Sequence, residues 1–195
     1  MIRKFFIVSL VLLGIASFQM ASECFAATGD ALDQAKQNVI SLINSGKLVE
    51  ADAATNKLIA DFNNSPGIDE TIQQIAEKYR IVKNYQKAIG LSRYVIAKRP
   101  QPNRAVWSQM EIVMSNMLLD NKESVRSEIA ALSANYSNDP NLPWTLYVLG
   151  EQCRWTQKYD QAKELYEKIT REHPKTECAT KARIALINSD IIENI

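Results

Sequence analysis

One imidazole is available to this chain of 195 residues, His173, and it stands directly before Pro174. A serine or cysteine nucleophile would have only that side chain as an imidazole base. A metal site would need further ligands at suitable spacing, and none lies near His173 in sequence. The ordinary role of a histidine at such a place is a helix C-terminal cap or an exposed loop residue. The three cysteines are Cys24, Cys153 and Cys178. Cys153 falls on an apolar helical stripe, where a buried structural thiol is the ordinary reading. Cys178 begins the last helical segment. On parallel helices the two would lie about 18 Å apart along the axis. A disulfide is therefore not expected unless the last helix departs from the repeat geometry. The sequence contains no glycine-rich phosphate loop. These residues predict no catalytic group, no metal and no cofactor, and the chain is read as a non-enzyme.

A richer signal is for binding. Trp107, Met110, Met114 and Met117 recur at three- and four-residue intervals, one face of a helix. Ile112, Val113 and Leu119 form a second apolar stripe that can serve the core. Further along, Trp144, Tyr147, Glu151, Arg154 and Trp155 take the corresponding face of another helix. Gln73, Glu77 and Arg80 do so upstream, as do Ile40 and Ile43 before them. Methionine and aromatic side chains adapt to apolar partners, while Arg and Glu set register. The predicted site is a groove for a partner helix or extended peptide, with Trp107, Met110, Met114, Trp144, Tyr147, Glu151, Arg154, Trp155, Glu77 and Arg80 as its contacts. The alternative is that Trp107, Trp144 and the methionines are core.

The elements that must position these residues are helices. Glycine and proline number six each, too few for an all-β fold with many tight turns. Good helix formers dominate after residue 30. Four segments align, ending at Ala51, Ala88, Val125 and Ala162, each 37 residues from the last. The same step relates Leu48, Tyr85, Lys122 and Tyr159, and also Leu58, Val95, Leu132 and Ile169. Each copy reads as two helices joined by a short polar turn. Gly150 with Ala162, and Ala76 with Ala88, are expected where the two helices cross closely. The copies span about 31–66, 67–101, 102–140 and 141–175, followed by a terminal helix over 176–192. One helix pair cannot bury both its faces, so neighbouring pairs must complete the core.

The run Leu149-Gly150-x-x-Cys153, then Ala162-x-x-x-Tyr166, then Pro174, resembles the tetratricopeptide repeat. Ile75-Ala76-x-x-Tyr79, Ala88 and Pro100 match it with Ser92 in place of the usual aromatic. The copies centred on Ala51 and Val125 carry Thr55 and Ile129 there, and Leu146 stands where tryptophan is typical. The family's period is about 34 residues. The interval from Ala76 to Ala88 equals that from Gly150 to Ala162 and is the family's own. The extra residues therefore belong between repeats, as in the stretch from Pro100 to Arg104. The last copy, continuing through Ala179, Ala182 and Ala185, is similar to repeats of bacterial outer-membrane assembly lipoproteins and of the periplasmic partner of the Tol–Pal system. The resemblance implies an all-α, right-handed superhelical array of about four helix pairs plus a C-terminal helix, binding protein or peptide in its concave side.

The N-terminus follows another logic. Arg3 and Lys4 precede an uncharged apolar run from Phe5 to Phe18, and small residues follow around Ala26. That order predicts a secretory signal peptide over residues 1–26, the apolar run being short for a membrane span. Cleavage after Ala26 would put Cys24 three residues before the cut, and a retained N-terminal anchor is the alternative. Glu23 stands where a lipoprotein signal needs a small residue, which argues against a lipidated Cys24. The whole chain carries a formal charge of +1. Removing 1–26 takes two basic residues and one acidic one, leaving equal numbers. Such a balance argues against phosphate-driven binding of nucleic acid. The sequence as a whole predicts an exported interaction module, periplasmic or secreted, serving as an adaptor in a bacterial envelope assembly. The alternative function is a structural subunit that binds through its convex face or its ends. Membrane contact is expected only if the N-terminal segment is retained.

Overall fold

The computed structural model describes residues 29–98 and 102–192. The expected signal peptide, Cys24 and Pro100 lie outside them. Among the described residues every regular element is an α-helix. They are α1 (29–44), α2 (Leu48–Asp61), α3 (Ile68–Ile81), α4 (Tyr85–Lys98), α5 (Pro102–Leu118), α6 (Lys122–Asn135), α7 (Leu142–Trp155), α8 (Tyr159–Glu172) and α9 (Glu177–Ile192). None of these helices is long and apolar enough to cross a membrane.

The 37-residue step is written in the backbone. Gly46, Lys83, Asp120 and Gln157 all have positive φ, between 56° and 71°. Each follows a first helix, at the position where a left-handed residue closes a helix end. The next amide reaches back to a carbonyl five residues earlier. Lys47 N–H donates to Leu42 O, Asn84 to Tyr79, Asn121 to Asn116 and Lys158 to Cys153, at 2.8–3.0 Å. These bonds satisfy carbonyls the helix leaves orphaned and turn the chain sharply into the next helix. Only the first turn uses glycine; the other three hold a side chain in a region that disfavours one. The longer connections, 62–67 and 136–141, separate one helix pair from the next, but in the stretch from Pro100 to Arg104, expected to be such a connection, Pro102 to Arg104 instead open α5.

The chain divides into two compact units between Thr71 and Ile72, within the first turn of α3. In the first unit, α1 buries Leu32, Val39 and Ile43, and α2 buries Ala51, Thr55 and Leu58. Those spacings of three, four and seven residues mark one helical face. Ile43, expected on the groove face, is thus a core residue.

In the second unit, α8 shows why such a sequence is helical. Ala162, Leu165, Tyr166 and Ile169 form a buried stripe, with Asp160 in the first turn and Arg171 in the last, charges that complement the helix dipole. The Asn121 carboxamide oxygen caps α6 by accepting the Ser124 N–H at 3.2 Å. Pro143 sits in the first turn of α7, where its missing N–H costs nothing. Helix α5 packs against α4, α6 and α7; α7 packs against α8 and α9, and α8 against α9. The core of this unit runs from Val106 and Val113 through Leu146, Leu149 and Ile169 to Ala179 and Ala182.

Two expectations change on contact with the structure. The neighbour that requires Gly150 is the Tyr166 ring: a Cβ there would stand 2.6 Å from Cε1. Ala162 lies one turn earlier on α8. Leu119, assigned to the core stripe, is exposed, because α5 ends at Leu118 and the tight turn swings the next residue outward.

Candidate functional site

The outer face of α7 carries five of the predicted contacts. Trp155 is 75 % exposed and Trp144 42 %, while Tyr147 and Glu151 are half-buried and Arg154 is exposed. The Trp144 and Tyr147 rings lie 5.9 Å apart, and Tyr147 and Tyr166 6.0 Å apart, both tilted. Glu151 organises the middle of this face. It accepts a hydrogen bond from the Tyr166 hydroxyl at 2.5 Å and from the Arg154 guanidinium at 2.7 Å. Burial pushes the Glu151 carboxyl upward, but the bonds from Arg154 and Tyr166 outweigh it and hold the group below its ordinary range. Burial and the same carboxylate raise the Tyr166 phenol. The face is therefore joined by hydrogen bonds at its centre and carries an exposed indole at each end.

Helix α9 supplies the second wall. Lys181 Nζ lies 5.2 Å from the centre of the Trp144 ring and 2.9 Å from Glu177. Ile184, Ala185 and Asn188 join Tyr147, Glu151, Arg154 and Lys181 around an open recess of about 200 Å³. These α9 residues were not among the predicted contacts. The signal that finds them is the repeat itself: one further step of 37 carries Trp144 to Lys181, Tyr147 to Ile184 and Glu151 to Asn188.

The α5 contacts are placed differently. Trp107 and Met110 are half-buried, Met110 against the core. Met114 is 8 % exposed and Met117 2 %, so Met114 offers a partner almost nothing. Met117 Sδ sits 3.7 Å from Cys153 Sγ, inside the α5–α7 contact. On α3, Glu77 is exposed, but Arg80 turns inward and pairs through Nε with Glu111 Oε1 at 2.8 Å. Gln73 donates to Arg104 O and Ser108 Oγ. Arg80 and Gln73 thus join α3 to α5. Three of the ten predicted contacts, Tyr147, Glu151 and Arg154, line this recess; Trp144 and Trp155 stand on the same helix outside its lining, and Trp107, Met110, Met114, Glu77 and Arg80 do not line it.

A second recess of about 340 Å³ lies between α6 and α8. Val125, Ile129 and Leu165 contribute its apolar lining, with Arg126, Glu164 and Arg171 among its charged groups.

Cys153 and Cys178 are both free and buried. Burial pushes the Cys153 thiol up to about 11, which keeps it protonated and unreactive at neutral pH. Among the described residues no group of three or more His, Cys, Asp or Glu side chains is gathered to hold a metal ion. His173 closes α8, its amide donating to Ile169 O at 2.9 Å. Compared with known proteins, no family model matches the chain, and no curated protein matches it.

Proposed function

We propose that this chain is an exported repeat protein of the tetratricopeptide type that holds a protein partner against its first helices, as an adaptor in a cell-envelope assembly. The observation that carries the reading is the α7 face. Trp144 and Trp155 remain exposed on a helix whose opposite side is fully occupied by Leu146, Leu149 and Cys153. Large exposed aromatics flanking an arginine are the composition of interface anchors, and neither tryptophan is needed to complete the core. The recurring turns and consecutive helix packing support the repeat assignment, from which the superhelical arrangement and the concave groove follow. The charge–apolar–small order of residues 1–26 supports export.

The test is a Trp144→Ala/Trp155→Ala variant. Affinity purification from an envelope fraction, followed by mass spectrometry, should recover a partner with the native chain and lose it, by at least tenfold in yield, with the variant. Circular dichroism should report unchanged helicity. Undiminished capture by a folded variant would sink the groove assignment. The recess between α6 and α8 favours one other reading, a structural subunit bound through its second helices. Crosslinks to a partner from Lys87 or Lys163 alone would support that arrangement instead.

A further inference from the structure

The recess between α7 and α9 joins two kinds of lining. Tyr147, Ile184 and Ala185 give it an apolar side, and Glu151, Arg154, Lys181 and Asn188 a polar one. Its charges are balanced. Arg154 pairs with Glu151 at 2.7 Å and Lys181 with Glu177 at 2.9 Å, so a charged ligand meets no unmatched opposite charge. Most of the accepting capacity is also taken. Glu151 already receives the Tyr166 hydroxyl and two N–H groups of Arg154. Donors remain in excess. A guanidinium carries five N–H groups and an ammonium three. Arg154 gives only Nε and Nη2 to Glu151, and Lys181 gives one hydrogen bond's worth of contact to Glu177. The Asn188 side chain is exposed, with no partner among the described residues.

We propose that this recess seats one neutral pyranose ring of an oligosaccharide. The complement of the lining is uncharged, rich in oxygen acceptors and apolar on one face. A sugar ring meets all three requirements. Its hydroxyl oxygens accept from Arg154, Lys181 and Asn188, and its C–H face lies against Tyr147 and Ile184. An extended peptide fits less well, because it brings an N–H with nearly every C=O and Glu151 has little capacity left to accept one. A hydroxyl rotates to suit its neighbours and can serve as acceptor alone. Pockets that enclose a whole small molecule begin at about 300 Å³. At about 200 Å³ and open to solvent, this one holds a single ring while the rest of the glycan stays in water. The inference goes beyond the protein partner proposed above and does not depend on it.

Saturation-transfer NMR on the full chain tests it, with maltotetraose and chitotetraose as neutral probes and tetragalacturonate as the anionic counterpart. At least one neutral tetrasaccharide should bind, and more tightly than tetragalacturonate. Arg154→Ala/Asn188→Ala, which changes two exposed side chains, should weaken it tenfold or more. Ile187→Ala, outside the lining, should leave it unchanged. No binding of either neutral sugar at millimolar concentration would overturn the inference, as would binding that the double variant does not weaken or tetragalacturonate held as tightly. Displacement of the sugar by an equal concentration of end-blocked tetra-alanine would assign the recess to peptide and overturn it too. Failure with every sugar leaves the Trp144→Ala/Trp155→Ala capture result as it stands.

Discussion

Helices α5 and α7 hold matching places in successive copies, yet the same positions have opposite fates. Met114 and Met117 of α5 are enclosed, whereas Glu151 and Arg154, one step of 37 later, face a recess and solvent. Every residue from Glu111 to Met117 is buried, two turns with no outward face. The cause is where the neighbours lie: α4, α6 and α7 pack against α5, and Gln73 and Arg80 of α3 bond to it as well, whereas the α7 face at Glu151 and Arg154 borders an open recess. Such enclosure forces polar groups into partnership. Glu111 takes Arg80 and Ser115, Asn116 donates to Ile112 O, and Gln109 and Arg93 share Glu128. Polar residues on α5 therefore join helices, whereas on α7 they arm a surface. Residue type alone does not tell these roles apart.

The comparison is most sharply tested at its matched pair. Met117→Ala should cost about 2–5 kcal/mol, the range for emptying an enclosed site. Arg154→Ala should cost less than about 1 kcal/mol, as for an exposed ion pair. Urea denaturation of both variants measures the contrast, and similar costs would break it.

A smaller effect is expected from the buried carboxyl of α5. Burial raises Glu111 above its ordinary value of 4.5, against the pull of Arg80. A carboxyl raised in the folded state contributes its stability fully below the unfolded value and loses it as pH rises through the folded one. The stability difference between Glu111→Gln and the native chain should accordingly shift in favour of the variant as pH climbs from 4.5 toward neutrality. Glu151→Gln on α7 should shift the other way, because Glu151 is held low and its contribution is lost as pH falls. Denaturation midpoints taken on both sides of pH 4.5 read the two slopes, that of Glu111 above it and that of Glu151 below it. A Glu151→Gln difference that does not change below pH 4.5, or a Glu111→Gln difference that does not change above it, would refute the contrast.

The smallest effect concerns the turns. Gln157 adopts φ 59° where the first copy has Gly46. Gln157→Gly should raise stability by about 0.5–1 kcal/mol, the left-handed penalty less the entropy glycine adds to the unfolded chain. A lower midpoint would show that the Gln157 side chain contributes more than its backbone costs.

Much of the fold was legible beforehand. The small residues at 51, 88, 125 and 162 mark second helices that the structure places where the 37-residue step puts them. The short polar turns expected ahead of them are present, each closed by a residue of positive φ that is glycine only in the first copy. Less of the site was legible. Trp155 was readable because it sits at a helix end beside a polar turn. Met114 was not, since a methionine stripe has the same spacing whether a neighbour covers it or not. Lys181 and Ile184 were obscured for another reason: the aligned small residues that identify the copies are those at 51, 88, 125 and 162, and α9 was read as a terminal helix outside those copies.

By itself the sequence determined the local matters: helix type, the length of each pair, the position of each turn and the repeat that relates them. These follow from side-chain periodicity and backbone preference within a few residues. Only the tertiary structure decided which face of each first helix would be core and which surface. Burial belongs to the neighbours, and those are set by packing between helices distant in sequence.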